Sequence, residues 1–125
     1  MSAFGGTGQN DAGIRTFTAT EDMAQYLAVK LTANADEVAL AGGSDIAIGV
    51  TGRSVKSGGL VPVILLNKQG TIPMMAGGVI AVNARVYLAG AGSGKIGTSN
   101  ANTLIGDALK NSTADGNVIE VLPIG

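Results

Sequence analysis

The chain has 125 residues, enough for one domain, and it combines 20 glycines with a charged fraction of only 14% and a net charge of −1. Nucleic-acid binding is disfavoured because it needs clustered Lys and Arg, and no apolar run approaches the roughly 20 residues of a membrane span. The absence of cysteine and histidine excludes disulfides, thiolate chemistry and the commonest general base and metal ligand, so no cofactor is expected.

Residues 1–20 are predicted to form an extended N-terminal arm. After Met1, Phe4 is the only large apolar side chain in the first 13 residues. Such a segment cannot bury enough surface to offset its ordering entropy, so we expect it to be flexible. Residues 14–20 are β-branched and aromatic, which predicts a strand suited to pairing with something outside the domain.

Residues 21–125 are predicted to form a single β domain. Short apolar or alternating runs are separated by Gly, Asn and Asp turn signals, and no long helix is indicated; residues 20–25 form a turn or a single helical turn. Pro62 places its strand at an edge or points outward, because proline cannot donate to a ladder. The pattern predicts an all-β barrel or sandwich. The predicted strands are 26–32, 38–40, 46–50, 60–66, 71–75, 79–82, 85–88, 104–110 and 118–122.

An internal pseudo-repeat relates residues 26–68 to residues 83–125. Without any gap, Ile48-Gly49 recurs 57 positions later as Ile105-Gly106, and Gly59 recurs as Gly116 ahead of the last strand. A duplicated β unit is the economical explanation. We interpret the two units as sharing one core, with Gly49 and Gly106 as matched bends and Gly59 and Gly116 as matched turns.

The segment Gly90–Lys95 has some features of a phosphate-binding loop. That motif requires a first glycine, a hydroxyl residue after the lysine and a following helix, whereas this chain has Ala89, Ile96 and no amphipathic helix. A loop between strands is the preferred interpretation, and a nucleotide-binding enzyme is a remote alternative. The acidic residues lie mostly at predicted turns, and no catalytic pair is indicated. We therefore expect no enzymatic activity.

The second half of the chain resembles small tailed-phage capsid decoration proteins, also called cement proteins. The resemblance is carried by 76–88, by Leu104–Ala108 and by 116–121, and it covers about 25–124. It departs at 83–85, Asn-Ala-Arg, where such proteins commonly have Gly-Asp.

The resemblance implies a structural virion protein, often a homotrimer, that binds the major capsid protein on the outer surface of the assembled head and strengthens it against internal pressure. Such a protein is made in the host cytoplasm, and neither nucleic acid nor membrane is expected as a partner. The low charge and high glycine content agree with apolar surface that is buried against a partner. Within the arm we expect Phe4, Arg15 and Phe17 to anchor the capsid. A head-fibre base or a carbohydrate-binding surface module is the alternative.

Overall fold

The computed structural model describes residues 13–66 and 70–124. In these two segments the chain forms strands and no helix, which confirms the all-β prediction. The strands are β1 (Ile14–Ala19), β2 (Ala28–Leu31), β3 (Glu37–Leu40), β4 (Gly49–Thr51), β5 (Leu60–Leu65), β6 (Ile72–Met75), β7 (Arg85–Leu88), β8 (Ile96–Gly97), β9 (Leu104–Ala108) and β10 (Val118–Pro123).

Unit 1, residues 13–66, is a closed barrel with the strand order β1-β3-β2-β4-β5. Alternate residues of β2 and β5 point inward, so the period-two apolar pattern fills the interior with branched side chains. The barrel closes where β1 pairs in parallel with β3 through Ala19 and Val38. Its buried core consists of Phe17, Ala19, Met23, Val29, Val38, Val61 and Val63.

Unit 2, residues 70–124, is a five-stranded sheet with the equivalent order β6-β10-β9-β7-β8. A parallel bridge between Ala76 and Ile96 joins its two outer strands. This bridge occupies the place of the Ala19–Val38 closure in unit 1. Unit 2 is therefore a second barrel, closed by a single bridge.

The two units repeat one another in backbone detail. The bridge between Met23 and Val55 recurs between Ile80 and Ser112. Left-handed backbone conformations also recur at matched positions: Gly13 and Gly70, Tyr26 and Asn83, Asp36 and Gly94, Gly58 and Gly116. The fold consequently confirms two similar β units, and the duplication extends further towards the N-terminus than residue 26, because β1 corresponds to β6.

The ungapped alignment is wrong by one residue in the last strand of each unit. Val50 pairs with Ile64 in unit 1, and the matching Asp107 pairs with Leu122 in unit 2, so β5 and β10 are offset by 58 positions rather than 57. Val61 therefore matches Ile119, and both are buried, whereas Val118 is 45% exposed. One extra residue in the turn before β10 accounts for the shift.

Several strand predictions made from the sequence are also wrong. Val79 to Val82 forms no strand, and Ile80 makes only an isolated bridge. Strand β8 lies inside the glycine-rich excursion, where none was predicted. β5 is paired on both sides, so Pro62 satisfies the outward-facing alternative and not the edge.

The two units do not share one core. The interior of unit 1 is a separate apolar cluster, whereas the interior of unit 2 continues across the contact between units into Ala28, Ala41 and Val50. Those three side chains belong to unit 1 but lie on its outer surface, because the alternation that points Val29 inward points them outward. Unit 2 thus has a core that unit 1 helps to cover.

Candidate interaction surfaces

Two of the expected capsid anchors belong to the barrel wall. Arg15 and Phe17 lie on β1, which pairs with β5 along its length. Phe17 is only 3% exposed, and the guanidinium of Arg15 lies 4.5 Å above its ring while pairing with the carboxylate of Asp36. The part of the expected arm from Ile14 onward is therefore a structural strand, and its partner is β5 rather than something outside the domain. Phe4 lies outside the described residues.

The glycine-rich loop of residues 90–95 belongs to unit 2 and packs against unit 1. Gly94 donates its backbone N–H to the Ala41 carbonyl at 2.9 Å, and its own carbonyl accepts a hydrogen bond from the Ala28 N–H at 2.6 Å. A Cβ on Gly94 would lie 2.8 Å from Leu27 Cβ, so the close approach requires glycine. This loop is a contact between barrels.

The same loop lacks the geometry of a phosphate site. It leads into β8 and not into a helix, so no helix N-terminus faces it. Lys95 Nζ is 2.8 Å from Asp115 Oδ1, which neutralises the charge that a phosphate would require. These contacts support a structural role for the loop and argue against the nucleotide-binding alternative.

Gly49 and Gly106 permit close approach of neighbouring strands. A Cβ on Gly49 would strike the carbonyl oxygen of Ile64, and one on Gly106 would strike that of Leu122. The other two glycines singled out by the sequence differ from each other: Gly116 has a φ of 94° in the turn before β10, whereas Gly59 does not adopt a positive φ. The structural match of Gly116 is Gly58, with a φ of 85°.

An apolar groove of about 300 Å³ opens where the two units meet. Its rim carries Ile46, which is 80% exposed, together with Ile124 at 49% and Leu104 at 38%. Leu66 and Ala47 of unit 1 form part of the floor. Exposed apolar patches of this kind mark interaction surfaces on small soluble domains.

A second group of exposed apolar side chains is found on unit 2 alone. Val79 is 73% exposed, Val82 51% and Leu109 40%. The Asn83 N–H bonds to the Ala108 carbonyl, which brings the chain segments that carry Val82 and Leu109 together. The matching positions of unit 1 are Asp22, Gln25 and Gly52.

The carboxylate of Asp45 lies in a turn next to Lys30 and has a lowered pKa. Its Oδ2 accepts a hydrogen bond from the Gly42 N–H at 3.1 Å and lies 3.2 Å from Lys30 Nζ. The Gly42 hydrogen bond first, and then Lys30, lowers the pKa of Asp45 below its usual value because both stabilise the ionised form. The Asp45 carbonyl also accepts the Thr103 hydroxyl at 2.7 Å, so this turn contributes to the contact between units.

Within residues 13–66 and 70–124, no three acidic side chains converge in the arrangement of a metal site. The described residues also include no helix long and apolar enough to cross a membrane.

The fold is similar to that of the head fiber gp8.5 N base of bacteriophage phi29, with a TM-score of 0.73 and 19% sequence identity over 89% of this chain and 92% of that one. At that identity the likeness shows a common fold. No curated protein matches the chain. The family model for phage cement proteins matches residues 9–123, and the chain therefore belongs to the phage cement protein family, whose members are structural proteins of the phage head.

Proposed function

We propose that the protein binds the outer surface of the assembled phage head, contacts the major capsid protein and stabilises the capsid lattice against internal pressure. The observation that carries this proposal is the cement-protein match over residues 9–123. The exposed apolar side chains of Val79, Val82 and Leu109 on unit 2 support it, since a patch of this kind marks an interaction surface. We propose a homotrimer, made in the host cytoplasm and carried on the outside of the virion.

The mechanism is thermodynamic linkage. A protein that binds the assembled lattice and not its dissociated subunits stabilises the lattice by RT ln(1 + [L]/Kd), about 2.7 kcal/mol per site at a hundredfold excess over Kd. Because a head offers many equivalent sites, modest individual contributions sum to a large resistance to rupture. No catalytic step is required.

We assign part of the capsid contact to residues 1–12, in which Phe4 is the only aromatic side chain. This assignment is shorter than the arm of residues 1–20 expected from the sequence. The Leu65 N–H donates to the Gly13 carbonyl at 2.7 Å, so Gly13 already belongs to the barrel. In this proposal Arg15 and Phe17 act indirectly, by holding β1, the strand that follows the segment, in the barrel.

A truncation tests the assignment. Deleting residues 2–12 leaves Gly13 and all of β1 in place, so the barrel should unfold at an unchanged denaturant midpoint. Binding to expanded phage heads, measured by co-sedimentation, should weaken at least tenfold, and Phe4→Ala should reproduce part of the loss. Unchanged head affinity in a folded truncation would place the contact elsewhere, and failure of the full chain to bind heads would overturn the proposed function.

The head-fibre base remains the second candidate, since the phi29 head fiber base has a similar fold. A carbohydrate-binding module is less well supported because sugar sites use aromatic platforms, and the chain has only four aromatic residues. Selective binding on a glycan array with no binding to heads would favour the carbohydrate module.

A further inference from the structure

The contact between the two units uses a defined row of outward-facing side chains on unit 1. Ala28, Val50 and Ile64 are cross-strand neighbours on β2, β4 and β5, and all three pack against the apolar cluster of unit 2. Ala47 and Leu66 extend the same surface. This row shows which face of such a barrel packs against another barrel.

Unit 2 presents the equivalent face to solvent. The row Ala28–Val50–Ile64 corresponds to Arg85–Asp107–Leu122, and the same cross-strand pairs link its members. The extension Ala47 and Leu66 corresponds to Leu104 and Ile124, and the hydrogen bond from Leu66 N–H to Ile48 O recurs from Ile124 N–H to Ile105 O.

Three of these five positions in unit 2 are therefore apolar, and within residues 13–66 and 70–124 their side chains stay partly exposed. Leu122 is 45% exposed, Ile124 49% and Leu104 38%. We call these three side chains the open face.

The surface that unit 2 contributes to the contact also has an exposed equivalent, which lies on unit 1. Unit 2 meets unit 1 partly through β6: β4 and β6 are in contact, and Met75 donates its N–H to the Tyr26 carbonyl at 2.9 Å. Met75 pairs with Val118 on the outer surface of unit 2, and the matching pair in unit 1 is Thr18 and Leu60.

Exposed apolar side chains lie at and near this pair in unit 1. Leu60 is 59% exposed, and Ile14, at the start of the same β1 strand, is 45% exposed. We call Ile14, Thr18 and Leu60 the receiving face.

We propose that copies of this chain associate head to tail, with the open face of one copy packed on the receiving face of the next. The inference deepens the homo-oligomer of the proposed function, on which it rests, but it does not require capsid binding. Because the two faces differ, the contact is heterologous, and it closes into a ring when the rotation between copies allows. In a homotrimer such a ring would contain barrels from three chains.

A second copy is the occupant favoured by the structure because the open face has a packed counterpart on unit 1, and Thr18 of the receiving face matches Met75, which bonds to Tyr26 of unit 1. The surface that unit 1 uses to bind unit 2 is preserved in apolar character at Leu104, Leu122 and Ile124. Arg85 and Asp107 replace Ala28 and Val50, so the contact between copies is more polar than the one within the chain. A more polar interface suits subunits that must also be stable when free.

Sedimentation of the purified chain tests the assembly. The wild type should sediment as an oligomer at micromolar concentration, and Leu122→Asp on the open face or Leu60→Asp on the receiving face should each give monomer. Val79→Asp is the matched control, because Val79 is 73% exposed and belongs to neither face. This substitution should leave the oligomer intact. Circular dichroism and thermal melting establish that each variant is folded, as expected for substitutions of exposed side chains.

Cross-linking tests the pairing of the faces. The chain has no cysteine, so Leu122→Cys and Leu60→Cys introduce single thiols. A short bis-maleimide should join a mixture of the two variants and should not join Leu122→Cys to itself. A Leu122→Cys homodimer in high yield, or an oligomer unaffected by both aspartates, would overturn the head-to-tail arrangement.

The two proposals fail separately. A wild-type chain that is monomeric in solution but decorates heads would contradict the head-to-tail assembly and leave the proposed function standing. An oligomer with the expected cross-links that does not bind heads would support the assembly and contradict the proposed function.

Discussion

Ala28 donates its backbone N–H to the carbonyl of Gly94 at 2.6 Å, and this hydrogen bond crosses from one barrel to the other. Ala28 belongs to a strand of unit 1, and Gly94 belongs to a loop of unit 2 whose sequence has some features of a phosphate-binding loop. The bond shows that the glycine-rich excursion packs the units together. This contact is one of several that fix the relative placement of the barrels, together with the Met75–Tyr26 and Thr103–Asp45 hydrogen bonds.

Gly94→Ala should destabilise the chain more than Gly92→Ala. Both positions have a left-handed backbone, with φ of 71° and 73°, so both substitutions lose about 1 to 2 kcal/mol from backbone strain. The new alanine Cβ at position 94 would lie 2.8 Å from Leu27 Cβ of unit 1, whereas nothing lies within 4 Å of a Cβ at position 92. We expect Gly94→Ala to lose a further 1 to 3 kcal/mol or so, measured by urea denaturation. Equal losses for the two variants would mean that the loop does not pack on unit 1.

Gly49→Ala and Gly106→Ala should each lower the free energy of unfolding by about 1 to 3 kcal/mol, because each Cβ would strike the carbonyl oxygen of the neighbouring strand. Gly97→Ala is the control: it also lies in a strand, but the nearest atom to its Cβ is that of Ala89 at 3.9 Å. The control should be neutral or slightly stabilising. A harmless substitution at both Gly49 and Gly106 would contradict their role as matched points of close approach.

Acid should weaken the turn at Asp45. The pKa of Asp45 in the folded chain lies below its unfolded value of about 3.8, so the ionised side chain stabilises the fold above that value, and the contribution is lost as the pH falls through the lowered folded pKa. Asp45→Asn keeps an acceptor for the Gly42 N–H but cannot ionise. The variant should be less stable than the wild type at neutral pH, and the difference should shrink in acid below about pH 4. A difference that stays constant with pH would show that the charge of Asp45 contributes nothing.

Phe17→Leu should reduce stability by about 1 to 3 kcal/mol without a separate effect on head binding, since the ring is buried in unit 1. Ile14→Val, in the exposed first position of the same strand, should change stability by less than about 0.5 kcal/mol. Thermal melting and head co-sedimentation measure the two effects. Lost head binding with an unchanged melting temperature would return Phe17 to the role of capsid anchor.

The all-β class and the duplication were predictable from the sequence because they depend on period-two alternation and on Ile-Gly pairs that recur. The one-residue offset between β5 and β10 was not, since the ungapped shift places Val61 on Val118 and only the ladder with β4 or β9 distinguishes the two registers. A one-residue slip turns every side chain to the other face. With the offset of 58 positions, Ile64 matches Leu122 rather than Val121.

The position of Phe17 was also beyond the sequence, because a polar, glycine-rich beginning hides the point at which the barrel starts. The parallel pairing of β1 with β3 joins residues that no local pattern relates. The open face follows from the residue-by-residue correspondence of the two units, which the ungapped alignment does not give. The signal in the sequence is that Leu104, Leu122 and Ile124 are apolar, as are their matches Ala47, Ile64 and Leu66.

The most direct measurement is an electron cryo-microscopy reconstruction of expanded phage heads incubated with the purified chain, compared with undecorated heads. The account predicts added density on the outer surface of the shell, in oligomeric clusters of paired barrels, together with retention of packaged DNA at temperatures that rupture undecorated heads. Heads that show no added density at saturating protein, or decorated heads that rupture at the same temperature as bare ones, would contradict it.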